Sequence, residues 1–295
     1  MSDCLTVTRN GKKLEYDGIY MKRSVPGPDQ FLTVGAGQTL SSTFQVSDAF
    51  DMTKAGVYSI AVDMYLEYVV GSATSKPDIK RKVRHLSSPA VSFQIVGRSS
   101  SKGTLGQKAR FLESRKQTKQ NGIFDGGVSR KSISPLPPVV TGGTQSLKAD
   151  TIKAHGDAYK TIKSFLAAPQ TKKGLVTTWF GANQVNNVVI KLQKMTGVLG
   201  KETITYTFDG THCDAKTFAY TFKNSREIFL CQLYKQARLT GTDNKMGILT
   251  HELSHAIVST DDIVYGQDAC RELAQFKPGD AINNADNFEY FVEAM

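Results

Sequence analysis

No run of eighteen or more apolar residues occurs in the sequence, so it offers no helix able to cross a bilayer. The opening Met1-Ser2-Asp3-Cys4-Leu5 lacks the charged-then-apolar profile of a secretory signal. On its own that start implies a cytosolic protein, or one whose leader has been removed. None of Cys4, Cys213, Cys231 and Cys270 stands in a CxxC pair, which argues against a zinc ribbon. Their even number permits two disulfides without requiring them. No internal repeat is present, which excludes solenoids and propellers. Acidic residues are scarce between Lys76 and Lys131, where three Asp or Glu face fourteen Lys or Arg. That stretch carries +11, more than the whole chain's formal +10. Such a run can bind nucleic acid or an anionic surface. Aromatic side chains for base stacking are sparse in it, so a solvated connector is the expected reading.

What remains is an ordinary globular composition. The chain has 295 residues, of which 40% are hydrophobic, enough for one large or two modest domains. Tyr58, Ile60, Val62, Met64, Leu66 and Tyr68 alternate with Ser59, Ala61, Asp63 and Glu67, the period of a strand with one buried face. Val91, Phe93 and Ile95 alternate likewise, and Phe44 with Val46 predicts a further strand ending near Asp48. Pro26-Gly27-Pro28 and Gly35-Ala36-Gly37 supply turns, so residues 1–98 are expected to form a small antiparallel β-sandwich. Residues 99–141, with Ser99-Ser100-Ser101, Gly126-Gly127 and Pro135-Leu136-Pro137-Pro138, have little periodicity and read as a flexible basic linker.

Helical spacing begins after the linker. Ile152, Tyr159, Ile162 and Leu166 share one predicted face; Val185, Val188, Val189, Leu192 and Met195 share another, with Gly197 as a stop. Ile204, Tyr206 and Phe208 alternate as a strand. Residues 218–222 and 228–231 predict a hairpin around Lys223-Asn224-Ser225, flanked by Cys213 and Cys231, which could meet across it. The last third reads helical, broken by a loop near Ser259 to Tyr265. Residues 142–295 are therefore an α+β domain. Its charge is nearly balanced, with 17 basic and 16 acidic residues after position 137.

His251-Glu252-Leu253-Ser254-His255 is an HExxH pentad. On a helix, positions i and i+4 share a face, so both imidazoles can reach one zinc ion at about 2.0–2.1 Å. Glu252 can then take the proton of an attacking water whose pKa the metal lowers to about 7. The pentad also occurs on ordinary helices with satisfied histidines. A catalytic zinc needs a third ligand, and either Asp261 or Asp262 could supply it. Asp268 and Glu272 fall on the next predicted helix.

The pentad followed by Ser259-Thr260-Asp261-Asp262-Ile263-Val264-Tyr265-Gly266 resembles the aspzincin signature, HExxH followed by GTxDxxYG, of deuterolysins and peptidyl-Lys metalloendopeptidases. It departs from it at Ser259, where the signature has glycine, and in a short loop before Asp262. Thr177-Thr178-Trp179-Phe180-Gly181, Thr217-Phe218-Ala219-Tyr220, Leu230-Cys231 and Thr240-Gly241-Thr242-Asp243 extend the likeness over residues 142–295. The resemblance implies a zincin-like catalytic domain holding one Zn2+ on His251, His255 and Asp262. Glu252 would be the general base, and Tyr265 the phenol that stabilises the oxyanion. Asp286 and Glu289, within Asn284-Ala285-Asp286-Asn287-Phe288-Glu289-Tyr290-Phe291, have the spacing of the lysine-binding S1′ carboxylates in the lysine-specific branch. Cys213 and Cys231 match the family's hairpin disulfide in position, which implies an oxidising, extracellular compartment.

Arg9-Asn10-Gly11-Lys12 and residues 50–58 resemble the family's propeptide domain, so residues 1–98 would be a propeptide and the chain a zymogen. Lys102, Lys108, Lys116, Lys119 and Lys131 are then candidate self-cleavage sites in the linker. The expected partners are protein and peptide substrates and the chain's own propeptide domain, in a monomer, with neither membrane nor nucleic acid. A broad-specificity deuterolysin-like peptidase differs only in the S1′ pocket. A basic protein binding nucleic acid or anionic surfaces through residues 76–131 is the reading from another class.

Overall fold

A computed structural model describes residues 4–27, 31–69, 81–96 and 134–295. The chain divides into two compact units, residues 1–19 with 25–123, and residues 20–24 with 124–295. Lys102, Lys108, Lys116, Lys119 and Lys131 lie outside the described residues.

The first unit carries an antiparallel sheet. Strands β1 (Leu5–Arg9) and β2 (Lys12–Lys13) form a tight hairpin, β1 pairs with the long β4 (Gly56–Val69), and β4 pairs in turn with β5 (Arg81–Ser87) and β6 (Val91–Ile95). The hairpin turn is Asn10-Gly11, both residues at positive φ (49° and 77°), the backbone that a two-residue turn between twisted strands demands. The predicted face of β4 is buried at Tyr58, half-buried at Ile60, Val62 and Met64, and exposed at Leu66. A second layer facing this sheet is not found among the described residues. Phe44 and Val46 do not form the expected strand; Val46–Asp48 is a single 3-10 turn, and Phe44 is exposed.

The second unit is built on a five-stranded mixed sheet in the order β3 (Tyr20–Arg23), β9 (Thr217–Thr221), β10 (Glu227–Leu230), β8 (Thr205–Phe208) and β7 (Val139–Thr141). The hairpin around Lys223-Asn224-Ser225 forms as predicted, as β9 and β10. Two short strands come from segments that sequence periodicity gave to other regions. Val139–Thr141, read as linker, pairs in parallel with β8, and Tyr20–Arg23, read with the first domain, pairs antiparallel with β9.

Helices α1 (Gln145–Ala167), α2 (Lys173–Phe180), α3 (Val185–Leu199), α4 (Gln232–Gln236), α5 (Lys245–Val258), α6 (Gln267–Phe276), α7 (Pro278–Ala281) and α8 (Ala285–Glu293) complete the unit. The buried face of α1 runs through Ala154, His155, Ala158, Tyr159, Ile162 and Phe165, whereas Ile152 is exposed. Helix α3 continues through Gly197 to Leu199.

Helix α5 is buried on every side, from Gly247 to Val258. A helix so placed must find partners for its polar side chains or lose several kcal/mol each. Asn244 caps its start, with Oδ1 accepting the Gly247 amide at 2.9 Å. Gly247 itself lets α8 approach, since a Cβ there would lie 2.2 Å from Glu293 Oε1. Phe165, Phe180, Phe288 and Phe291 pack ring against ring beneath α8.

Candidate active site

One turn of α5 aims His251 and His255 the same way, and both are fully buried. Their Nε2 atoms lie 3.1 Å apart. Asp262 Oδ1 completes a triangle, 3.1 Å from His251 Nε2 and 3.2 Å from His255 Nε2. Zinc held tetrahedrally at about 2.0–2.1 Å from each donor would space them by roughly 3.3 Å. The donor set and its spacing therefore fit that ion. The imidazoles are also turned the right way for it. His255 Nδ1 is 2.8 Å from the Thr260 carbonyl, which holds the ring with Nδ1–H donating and Nε2 free to ligate. His251 Nδ1 lies 2.8 Å from Asp286 Oδ1 and 3.3 Å from Glu289 Oε2, close to both carboxylates without pointing straight at either.

The loop carrying Asp262 is short because the chain reverses at once. Ser259 sits in the left-handed region (φ 56°, ψ 43°) as the C-terminal cap of α5. The Thr260 amide then donates back to the Ser254 carbonyl at 3.3 Å, and the Thr260 hydroxyl meets Ser254 Oγ at 2.6 Å. This turn sends the two aspartates in different directions. Asp262 enters the site, while Asp261 points elsewhere, accepting from Tyr20 Oη at 3.0 Å and pairing with Lys223. Asp268 and Glu272 ride on α6 and take no part.

Asn284 was missed as a positioning residue. Its Oδ1 accepts the Ile263 and Val264 amides at 2.8 and 3.1 Å, and its Nδ2 donates to the Val264 carbonyl at 3.1 Å. It thereby ties the Asp262 loop to the start of α8. Spacing alone does not mark it: its burial appears only in the fold, where an inward asparagine needs backbone partners.

Glu252 is fully buried beside the triangle. Its Oε1 accepts the Lys22 amide at 3.3 Å, and its Oε2 has no hydrogen-bond partner. Burial pushes its carboxyl up to about 8, against the pull of His251. The Tyr265 phenol donates to the Met21 carbonyl at 3.1 Å.

On the far side of His251, Asp286 and Glu289 sit one turn apart on α8 and close a pocket filled by the Lys22 side chain. Its ammonium lies 2.9 Å from Asp286 Oδ1, 2.9 Å from Glu289 Oε2 and 3.2 Å from Asp243 Oδ1. The Tyr290 ring faces it, with the centroid 5.2 Å away. Lys22 is 1% exposed. Burial alone would lower its pKa, but Asp286 and Glu289 carry it well above the ordinary value. Burial would likewise raise Asp286; the Lys22 ammonium, His251 and the Gly266 amide at 2.8 Å hold it down at about 2. Glu289 is pushed up, by burial and by the charge of Asp286, despite Lys22.

His251, Asp286 and Glu289 also converge closely enough to hold a cation. There the lysine ammonium already supplies the positive charge, and only Nδ1 of His251 faces that side. A disulfide joins Cys213 to Cys231. Cys270 Sγ accepts a contact from Asn284 Nδ2 at 3.5 Å.

Comparison with known proteins bears on the family of the chain. The profile of the lysine-specific metallo-endopeptidase (aspzincin) family matches residues 165–293. A peptidyl-Lys metalloendopeptidase of Pleurotus ostreatus is 36% identical over 44% of this chain and 79% of that protein. The chain belongs to the aspzincin metalloendopeptidases. An extracellular protease of Aeromonas hydrophila is 29% identical over 97% of this chain and 78% of its own length, so the likeness to this aspzincin also takes in the first unit. The structure of a zinc peptidase from Grifola frondosa is 33% identical, covering 51% of this chain and 96% of that one, with a TM-score of 0.46. Aspzincins are zinc-dependent peptidases that act on proteins. Among the described residues, no helix is long and apolar enough to cross a membrane.

Proposed function

We propose that this aspzincin is a zinc endopeptidase that hydrolyses the peptide bond on the amino side of lysine, and that it is made as a secreted zymogen processed between residues 99 and 141. One observation carries the specificity: Asp286, Glu289 and Asp243 converge on a single ammonium in a closed pocket beside the catalytic helix. Three carboxylates around one buried cation suit a lysine side chain, and leave their own charge uncompensated when a neutral one enters.

His251, His255 and Asp262 would hold one zinc ion. When bound, zinc acts as a Lewis acid toward the substrate carbonyl and lowers the pKa of a water to about 7. Glu252 would take the proton of the attacking water. Its Oε1 reaches the amide nitrogen of a lysine residue in the pocket, so the same carboxylate can pass the proton to the leaving amine. Tyr265 donates its phenolic proton to the carbonyl oxygen on which negative charge develops. Asp286 and Glu289 hold the ammonium and brace the outer nitrogen of His251. The disulfide and the extracellular relative support secretion.

The decisive experiment maps cut sites in a mixed peptide library with the matured, zinc-loaded enzyme. Lysine enriched at the first residue after the cut is the expected result. Cuts without that enrichment would make it a broad-specificity peptidase. Glu252→Gln should retain zinc and lose both casein cleavage and self-processing; persistence of both would sink the assignment of Glu252.

A further inference from the structure

The lysine in the pocket belongs to the chain itself. Tyr20–Arg23 precedes the catalytic helix by more than two hundred residues, yet adds a strand to the outer edge of the catalytic sheet. Its register against β9 is Tyr20 to Thr221, Met21 to Tyr220 and Lys22 to Ala219, antiparallel, with an irregularity between Lys22 and Arg23. This is strand addition, in which main-chain hydrogen bonds supply affinity and alternate side chains enter pockets.

The Met21–Lys22 peptide bond sits where the proposed chemistry would take place. The Met21 carbonyl accepts from Tyr265 at 3.1 Å, and the Lys22 amide faces Glu252 Oε1 at 3.3 Å. The Met21 amide donates to Asp262 Oδ2 at 3.2 Å, the oxygen turned away from the histidines. The Tyr20 ring lies against the His255 ring, with centroids 4.5 Å apart. The Lys22 ammonium fills the carboxylate pocket. Each group that would act on a substrate is thus engaged by one dipeptide, carbonyl on one side and lysine amide on the other.

We propose that Tyr20–Arg23 is a tethered pseudosubstrate: it occupies the cleft in the orientation of a substrate, with Lys22 as the plug of the lysine pocket, and keeps the full chain latent until the strand leaves. The proposal rests on the lysine reading of Asp286 and Glu289. Tethering makes the plug hard to displace, because a covalently attached ligand acts at an effective concentration on the order of millimolar. An outside peptide must exceed that before it gains the cleft. Activation then needs loss of the strand's hold and no rearrangement of the catalytic groups.

The test uses the full zinc-loaded chain carrying Glu252→Gln, so that bound peptide is not cut. A fluorescent peptide with a single lysine is titrated against this chain with and without Lys22→Ala. Tighter binding by tenfold or more in the Lys22→Ala chain is expected; an unchanged Kd overturns the proposal. Lys22→Ala leaves three carboxylates uncompensated and can impair folding, so a second measurement uses the unmutated chain. Acetylation by an amine-reactive reagent, read by peptide mass spectrometry, should modify Lys22 at least tenfold more slowly than the exposed Lys12 and Lys13. Equal rates overturn the proposal. A control peptide with alanine for lysine separates the two readings. If Lys22→Ala opens the cleft equally to both peptides, the plug stands and the lysine preference falls.

Discussion

Asp286 Oδ1 stands 2.8 Å from His251 Nδ1, so one carboxylate both steadies a proposed metal ligand and lines the lysine pocket. Removing its charge should therefore be felt in two measurements at once. Asp286→Asn is expected to weaken zinc binding by about 10–100-fold, the usual cost of altering the group that braces a ligand from outside. It should also reduce the preference for lysine over alanine after the cut. Competition with a chelator of known affinity reads the first, and paired peptide substrates read the second. Glu289→Gln, farther from His251 at 3.3 Å, should lower the lysine preference with a smaller effect on zinc.

Tyr265 offers a cleaner probe of catalysis. Its phenol reaches the carbonyl of the strand in the cleft, and Phe keeps the ring while deleting the donor. Tyr265→Phe should lower kcat of the matured enzyme by about 10²–10³ with KM little changed, as expected for a donor used mainly in the transition state. A rise in KM at constant kcat would instead make Tyr265 a binding residue.

Ser259 holds the left-handed cap of α5 at a cost that glycine would not bear. Ser259→Gly should stabilise the protein by up to about 1 kcal/mol, offset in part by the greater freedom of glycine in the unfolded chain. Denaturant unfolding of the two proteins checks this. A loss of stability would mean that the serine side chain holds the loop in some other way.

Acid should unfold the second unit partly through His155. It is buried on α1, with Nδ1 2.9 Å from Tyr206 Oη, and burial lowers its pKa from 6.5 to about 4. Because the folded state binds this proton less tightly than the unfolded chain, its contribution is complete above pH 6.5. It is lost as the pH falls from 6.5 to 4, by roughly 3 kcal/mol in all. His155→Gln should lose correspondingly less stability between pH 7 and 4.5 in urea unfolding. Acid sensitivity common to both proteins cancels in that difference.

How much of this was legible beforehand follows physical lines. The pentad, the loop after it and the Lys223–Ser225 hairpin are local, and local spacing displays them. The choice of Asp262 over Asp261 needed the signature, because two adjacent carboxylates are equivalent until a turn orients one. The short loop before Asp262 turns back at once because Ser259 takes a backbone that serine seldom adopts. Tyr20–Arg23 was not legible as part of the catalytic sheet. It spans four residues, puts a lysine on its buried face, and takes its meaning from partners some two hundred positions away. Phe44 and Val46 misled in the opposite way, since two apolar residues two apart fit a strand and an exposed segment equally well.

The disulfide between Cys213 and Cys231 has a bearing on how a peptide is received. It spans 18 residues and encloses β9, the strand on which Tyr20–Arg23 lies. Closing a loop of that size removes on the order of 3 kcal/mol of unfolded-chain freedom. The rail that receives a substrate is therefore stiffened during folding, not at each encounter, and an incoming chain has only itself to order. Breaking the bond would shift that ordering into the binding step, where it would weaken substrate capture while leaving the chemistry of α5 in place.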